Sequence, residues 1–209
     1  MIEPHPSPPE LIVLHSLRCA GAASTERLGA LVGPGIADDV EDLLLTLAVR
    51  GLVTHATGAF GGWGLTDDGR RADAEQIAAE LNRAGVRRDV EDAYRDFLEL
   101  NQDVLDICGA WQLRSTVGTM VLNDHTDPAY DADVLARLAT TDARAQPICR
   151  ELAGRLRRFG GYGPRLATAL HRAEHGERDL VTTSLDSYHS VWFVLHEDLL
   201  ATLGLARGS

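Results

Sequence analysis

Hydrophobic residues recur at helical spacing along most of the chain, and Gly and Pro mark where this spacing stops. Apolar side chains at i, i+3, i+4 and i+7 indicate one buried face of a helix. In the first part of the chain, two short apolar stretches flank a Gly-rich tip that contains Phe60, which indicates a β-hairpin. The pattern predicts helices over residues 10–20, 25–32, 36–50 and 67–83, and strands over residues 52–55 and 63–65.

The second part of the chain keeps the helical spacing beyond Gly85. Loops are expected where this spacing is interrupted, above all over residues 114–128. The chain is therefore predicted to be mostly α, with the hairpin confined to the first part and an all-helical second part. The predicted helices cover residues 86–108, 130–143, 148–158, 164–175 and 185–203, and the predicted domains are a flexible proline-rich N-terminus at 1–8, a first domain at 9–84 and a helical effector or assembly domain at 85–209.

Local signals define the ends of the elements in the first domain. Ser24 or Thr25 and Thr66 are predicted N-caps, because their hydroxyls can accept a hydrogen bond from a free backbone N–H of the first turn. Gly51 is expected to end the third helix in a left-handed conformation. The Gly-Pro-Gly sequence at 33–35 predicts a turn between the second and third helices.

The order of these elements and two short motifs carry a resemblance. The motifs are Arg50-Gly51-Leu52-Val53 and the closing Leu65-Thr66-Asp67-Asp68-Gly69-Arg70. Over residues 9–84 the chain resembles the winged helix-turn-helix domains of MarR- and PadR-type regulators. The resemblance implies a small hairpin wing, DNA binding in transcription regulation, and a homodimer formed through helices outside the winged helix. The DNA-binding residues expected from it are Arg27, Arg50, Arg70 and Arg71.

Charge argues against an ordinary DNA-binding protein. The net charge is -11, the pI is about 5.1, and every basic residue other than His is arginine. The second helix of the helix-turn-helix begins with Asp38, Asp39, Glu41 and Asp42, where DNA phosphates need positive charge. Two interpretations stay open: these carboxylates face DNA, or they lie on a solvated face where the helix dipole stabilises them.

A second resemblance involves the helical part of the chain. The motif Asp186-Ser187-Tyr188-His189-Ser190-Val191-Trp192-Phe193-Val194-Leu195-His196-Glu197-Asp198-Leu199 is its most distinctive stretch. It resembles an accessory region of pyruvate phosphate dikinase-like proteins of actinobacteria, and richness in Ala and Arg without Lys is typical of a high-GC bacterial genome. The resemblance implies a protein-binding partner of a phosphoenolpyruvate- or pyruvate-handling enzyme and transfers no kinase activity. This is the alternative to a transcriptional regulator with a helical ligand-sensing or dimerisation domain.

Aromatic and polar side chains of the second part predict a ligand site. Aromatic walls with a few placed polar groups are typical of small-molecule sites, and the ligand expected here is a small carboxylate or phosphate metabolite. The alternative is a core in which Trp and His find internal partners, and Asn and Asp residues before Pro128 that cap the next helix. The residues expected to converge on one pocket are Trp111, Arg114, His125, Tyr188, His189, Trp192 and His196.

The sequence shows no motif for catalysis or metal binding. It has no nucleophile elbow, phosphate loop or paired zinc ligands, so we predict no enzyme, no metal and no cofactor. The alternative is an enzyme that uses His125, His189 and Arg114. The three cysteines suit buried positions in a reducing compartment. Since no secretory signal and no membrane-length apolar run are present, a cytoplasmic protein is expected.

Overall fold

A computed structural model describes residues 3–58, 61–116 and 118–206. The predicted tip residue Phe60 lies outside this set. The described residues are mostly helical with two small antiparallel hairpins, as the predicted mostly-α class requires. In chain order the elements are α1 (Pro9–Ala20), α2 (Thr25–Val32), α3 (Pro34–Ala37), α4 (Val40–Val49), β1 (Val53–Ala56), β2 (Gly62–Leu65), α5 (Asp67–Ala84), α6 (Arg87–Gln112), β3 (Leu113–Thr116), β4 (Thr119–Leu122), α7 (Pro128–Arg155), a 3-10 helix (Arg157–Gly161), α8 (Tyr162–Glu174), α9 (Asp179–Thr182) and α10 (Tyr188–Leu203).

The chain divides into two compact units, and two segments from the second half of the sequence belong to the first unit. This division differs from the predicted boundary after residue 84, because contacts between distant segments leave no local pattern in the sequence. The first unit comprises the described residues of Met1–Val90, Ala153–Gly161 and Val194–Ser209, and the second comprises those of Glu91–Leu152 and Tyr162–Phe193.

The first unit has an apolar core around α1, which packs against α2, α4 and α5. The helical spacing of the predicted third helix predicts that Leu43, Leu44 and Leu47 are buried. Leu44 and Leu47 of α4 are buried, whereas Leu43 is only partly buried. Strands β1 and β2 pair antiparallel, which confirms the predicted hairpin between Leu52 and Leu65. The helical spacing of the sequence therefore identified the face of α4 that points to the core.

The predicted N-caps of the first unit are present, whereas the turn predicted at residues 33–35 is wrong, because proline suits the first position of a helix and α3 begins at Pro34. The Ser24 hydroxyl accepts a hydrogen bond from the Arg27 N–H at 3.1 Å, and the Thr66 hydroxyl accepts one from the Gly69 N–H at 3.0 Å. Gly51 follows α4 with φ +73°, a left-handed conformation that glycine adopts without steric cost. These contacts satisfy backbone groups that a helix end leaves unpaired.

The predicted third helix is wrong in its first turn. The sequence pattern runs through residues 36–50, but the structure ends a short helix at Ala37 and begins α4 at Val40. Asp39 has φ -99° and ψ 0°, a turn conformation. The turn leaves Asp38 and Asp39 exposed and brings Val40 into the core at 1% exposure. Burial of Val40 therefore decides where α4 begins.

The prediction that the second part is all-helical is wrong at residues 113–122. These residues form the antiparallel hairpin β3–β4, with Gly118 at φ +81° in the turn. The side chains of β4 are exposed, so the strand lacks the alternation of buried and exposed positions that identifies strands in a sequence. The hairpin was therefore predicted as a loop.

Helix α7 is continuous where two helices are predicted. The sequence pattern breaks at Pro147, because proline lacks an N–H and crowds the preceding turn. In the structure, Pro147 lies inside α7, and Ala145, Ile148 and Cys149 around it are buried. Packing on both sides of Pro147 therefore outweighs its local cost. The other predicted helices of this part differ from the observed ones only at their ends.

The proline-rich N-terminal segment pairs with the end of α7. The His5 N–H donates to the Arg155 carbonyl at 2.9 Å, and the Arg157 N–H donates to the His5 carbonyl at 3.0 Å. This pairing lies within the segment that the sequence predicts to be flexible. Among the described helices, none combines the length and the apolar composition needed to cross a bilayer.

Candidate ligand-binding site

Arg50, Arg70 and Arg71, which are among the arginines expected to contact DNA, are paired with carboxylates. The Arg50 guanidinium lies 2.6 Å from Glu10, while Arg70 and Arg71 pair with acidic residues one turn earlier on α5, at 3.4 Å and 2.8 Å. Arg27 is half-buried. Exposed pairs of this kind are weak and do not prevent other contacts. They do lower the net positive charge that these arginines present to an anion.

The outer face of α4 is acidic and apolar. Asp38, Asp39, Glu41 and Asp42 are all exposed, as the solvated-face interpretation expects. On the same helix Leu45 and Val49 are 52% and 89% exposed. Helix α4 contains no basic residue. We call the exposed side chains of Asp38, Asp39, Glu41, Asp42, Leu45 and Val49 the α4 surface.

In the second unit, Asn123 organises the segment between β4 and α7. Its buried amide nitrogen donates to the Trp111 carbonyl at 3.1 Å and to Asp131 at 2.9 Å, and its side-chain oxygen accepts the His125 N–H at 3.2 Å. Asp127 accepts hydrogen bonds from the first N–H groups of α7, as the predicted capping requires. The segment therefore caps α7 and also positions His125.

His125 has a strained backbone and a fixed ring. It is the one non-glycine residue in the described part of the chain with positive φ, at +56°. Its Nδ1 lies 3.0 Å from both carboxylate oxygens of Asp131, and its ring centroid lies 4.6 Å from that of Trp111. Nδ1 therefore faces the Asp131 carboxylate, which can accept a hydrogen bond from it. Such strain costs about 1–3 kcal/mol and is concentrated at functional sites.

A cavity of about 480 Å³ adjoins His125. One wall is apolar, formed by Trp111, Leu113 and Leu122. Leu113 and Leu122 are 38% and 78% exposed, so a bound molecule would cover apolar surface there. The lining has several polar groups, of which Arg178 can pair with a negatively charged oxygen while Asp179 would repel it. The polar groups belong to Gln112, Asn123, His125, Arg178, Asp179, Thr182 and Thr183.

Two of the seven residues expected in one pocket, Trp111 and His125, line this cavity. Arg114 lies on β3 and donates to Asp124 at 3.1 Å, which together with hydrogen bonds from Thr126 lowers the pKa of that carboxyl. His189 is half-buried on α10, and His196 belongs to the first unit.

Tyr188 and Trp192 are core residues of the second unit. The Tyr188 hydroxyl donates to Asp142 at 3.1 Å, and burial raises its pKa. The Trp192 indole N–H donates to Asn101 at 3.0 Å while its ring stacks on Phe97. These contacts match the alternative interpretation of the sequence, in which the aromatic side chains belong to the core and not to a ligand site. The sequence analysis missed Asp131, which lies in helix α7, and Arg178, which lies in the turn before α9; neither position has a local signal.

The first unit contains a buried polar cluster that the sequence analysis also missed. His15 Nδ1 lies 2.9 Å from Asp73, and His15 Nε2 lies 3.1 Å from Asp198 Oδ1 and 3.5 Å from Cys19 Sγ. The only signal in the sequence is that His15 and Cys19 are four residues apart on one helix face. The buried cluster, as we name it, comprises His15, Cys19, Asp73, Glu80, Arg158, Asp198 and Thr202.

Charges within the buried cluster shift the pKa of its members. Burial opposes the positive charge of His15, but its interactions with Cys19 and with the Asp198 carboxylate outweigh burial and hold the pKa of His15 well above its usual range. Burial raises the pKa of the Cys19 thiol. Burial would raise the pKa of Asp198, but Arg158 and His15 outweigh it and hold that pKa far below its usual range. The ligand atoms of His15, Cys19 and Asp198 all lie within 4.8 Å of one another, close enough to hold one metal ion.

No protein-family model matches the chain, and neither the search of curated proteins nor that of solved structures found a significant match. Arguments about function therefore start from the residues of the chain itself.

Proposed function

We propose that the protein is a non-catalytic regulator whose second unit binds a small organic carboxylate beside His125. The observation that carries this proposal is the strained His125, held by Asn123 and Asp131 at the wall of a cavity that also contains Arg178. A left-handed histidine persists only where its surroundings hold it. A carboxylate that accepts a hydrogen bond from the His125 ring would give this arrangement a purpose beyond capping α7.

The composition of the cavity favours a carboxylate with an apolar body over a phosphate. Arg178 is the one fully charged cation of the lining, and Asp179 adds a negative charge beside it. A carboxylate needs one cationic partner and a few hydrogen-bond donors, whereas a phosphate dianion needs more. Trp111, Leu113 and Leu122 offer the apolar surface that the rest of such a ligand would cover.

A thermal-shift titration tests the ligand proposal. Benzoate is expected to raise the melting temperature by about 5–10 °C at 100 times its Kd, because binding to the folded state alone stabilises it. Acetate and inorganic phosphate should give much smaller shifts at equal concentration. If all three anions shift the melting temperature equally, or none does, the proposed ligand class is wrong.

Two variants test whether benzoate binds at this cavity or only responds to the overall charge of the protein. Arg178→Gln and His125→Asn should each weaken benzoate binding at least about 10-fold, since each removes a direct partner. Asparagine tolerates positive φ, so His125→Asn keeps the backbone of the site. Arg95→Gln on α6 removes an equally exposed charge and should leave binding unchanged. Equal losses in all three variants would contradict the proposal.

For the first unit, we propose a winged-helix-like module that binds a protein partner through the α4 surface. The order of helices and hairpin in α1 to α5 supports the proposed resemblance to MarR- and PadR-type domains. The four carboxylates would repel DNA phosphates, whereas exposed Leu45 and Val49 suit a protein interface with an apolar centre. DNA binding through Arg27, Arg50, Arg70 and Arg71 is the competing function.

A gel-shift titration at fixed salt distinguishes protein binding from DNA binding. The wild-type chain is expected to bind duplex DNA weakly, and Asp38→Asn with Asp39→Asn should tighten this binding by removing repulsion near phosphates. Glu99→Gln with Glu151→Gln changes the net charge equally on the second unit and should have a smaller effect. Tight binding by the wild type that the Asn variant weakens would favour DNA over a protein partner.

A nuclease-treated pull-down then examines the partner directly. A protein captured through the α4 surface should persist after nuclease treatment and be lost in Leu45→Lys with Val49→Lys. The identity of that partner as a phosphoenolpyruvate- or pyruvate-handling enzyme, the homodimer and the cytoplasmic location stay predictions.

A further inference from the structure

We infer that His15, Cys19 and Asp198 in the first unit form a binding site for one zinc ion. Helix α1 presents His15 and Cys19 from one face, because residues four apart lie one above the other on a helix. Helix α10 contributes Asp198. Imidazole nitrogen, thiolate sulfur and carboxylate oxygen are the three kinds of ligand that zinc accepts in proteins.

The three ligand atoms all lie within 4.8 Å of one another, and two of their separations are close to those around a tetrahedral ion. His15 Nε2 lies 3.5 Å from Cys19 Sγ and 3.1 Å from Asp198 Oδ1. In a tetrahedral site with Zn–S of about 2.3 Å and Zn–N or Zn–O of about 2.0–2.1 Å, the ligand atoms are about 3.3–3.6 Å apart. His15 Nε2 has either one proton or one lone pair, so it can pair with only one neighbour. Both Cys19 Sγ and Asp198 Oδ1 lie near it. A metal ion satisfies all three at once.

The outer partners of the ligands have the arrangement typical of a metal site. The second nitrogen of His15 binds the Asp73 carboxylate at 2.9 Å, which directs Nε2 toward the ion. Asp198 is held by the guanidinium of Arg158 and by the Thr202 hydroxyl. Ligands fixed in this way lose little freedom when an ion binds.

The buried cluster also has an excess of acceptors. Its three carboxyl groups, from Asp73, Glu80 and Asp198, face one arginine and one histidine. Glu80 is fully buried, and its Oε1 has no hydrogen-bond partner among the described residues. Buried carboxylates are costly unless they are compensated, so an added cation is favourable here. The unpaired Glu80 Oε1 supports an added cation, and this support does not depend on the distances among the three ligand atoms.

Zinc suits this ligand set better than the common alternatives. Calcium and magnesium prefer oxygen ligands alone, whereas Cys19 supplies sulfur and His15 supplies nitrogen. In such a site Cys19 would bind as the thiolate and His15 through the lone pair of Nε2.

Cobalt substitution tests the zinc site in the full-length chain. Because the ligands are buried, the protein is refolded from urea with equimolar Co²⁺, and unbound ion is removed. We expect one cobalt per chain and a near-ultraviolet thiolate-to-cobalt charge-transfer band that added zinc abolishes.

Cysteine variants locate the site. Cys19→Ser should lose the charge-transfer band and at least about 10-fold in cobalt affinity while its circular dichroism stays native. Cys149→Ser, a buried cysteine of the second unit, should keep both. A wild-type protein that retains no metal after refolding, or a band that survives Cys19→Ser, would overturn the inference and leave a hydrogen-bonded network in its place.

Discussion

Replacing Arg158 by methionine is expected to lower the free energy of unfolding of the first unit by about 3–5 kcal/mol. Arg158 is buried and binds Glu80 at 2.9 Å through Nε, Asp198 through Nη1 and Thr202 at 2.6 Å through Nη2. Its removal leaves two buried carboxylates without their cation. Methionine fills similar volume, so the loss comes from charge and hydrogen bonding.

Urea denaturation measures this loss, with hydrogen exchange of peptides from α1 and α4 reporting on the first unit. The control is Arg172→Met, which breaks an exposed pair with Glu177 and should cost less than about 1 kcal/mol. Arg158→Lys keeps the positive charge but lacks the planar guanidinium. Its loss of stability should therefore lie between those of Arg158→Met and Arg172→Met. A cost below about 1 kcal/mol for Arg158→Met would mean that the carboxylates do not depend on this cation.

Gly69→Ala is expected to destabilise the first unit by about 3 kcal/mol or more, at the upper end of overpacking effects. A Cβ at Gly69 would lie 1.9 Å from the Leu52 carbonyl oxygen. That contact is with backbone, so no side-chain rotation relieves it. The Leu52 carbonyl also accepts the Thr66 N–H at 3.1 Å, so moving it disturbs the start of α5.

Gly154→Ala provides the matched control for this prediction. Gly154 lies within α7 in the same unit, and a Cβ there meets nothing within 4 Å. Alanine should stabilise the helix by about 0.5–1 kcal/mol, because glycine loses more backbone entropy on folding. We expect the urea midpoint to fall in Gly69→Ala and to rise in Gly154→Ala, relative to the wild type. A Gly69→Ala midpoint at or above that of the wild type would show that β1 and α5 can separate at little cost.

The candidate ligand site was predictable where it depends on neighbours in sequence. The polar segment before Pro128 indicated capping of the next helix and identified His125 as its best ligand candidate. Asp131, which fixes the His125 ring, lies in α7, and Arg178, which lines the cavity, lies in the turn before α9. The local sequence pattern at both positions shows nothing unusual. Tyr188 and Trp192 are residue types that often line ligand sites, yet in the structure both are buried in the core of the second unit.

The sequence alone determined the features that depend on short-range interactions. Helical spacing, the Ser24 and Thr66 caps and the left-handed Gly51 follow from steric limits and hydrogen bonds within a few residues. Tertiary structure decided the rest. Helix α7 runs through Pro147 because burial on both sides outweighs the lost hydrogen bond. His15 meets Asp198 across 183 positions because several packed elements bring them together, and no local pattern records such a contact.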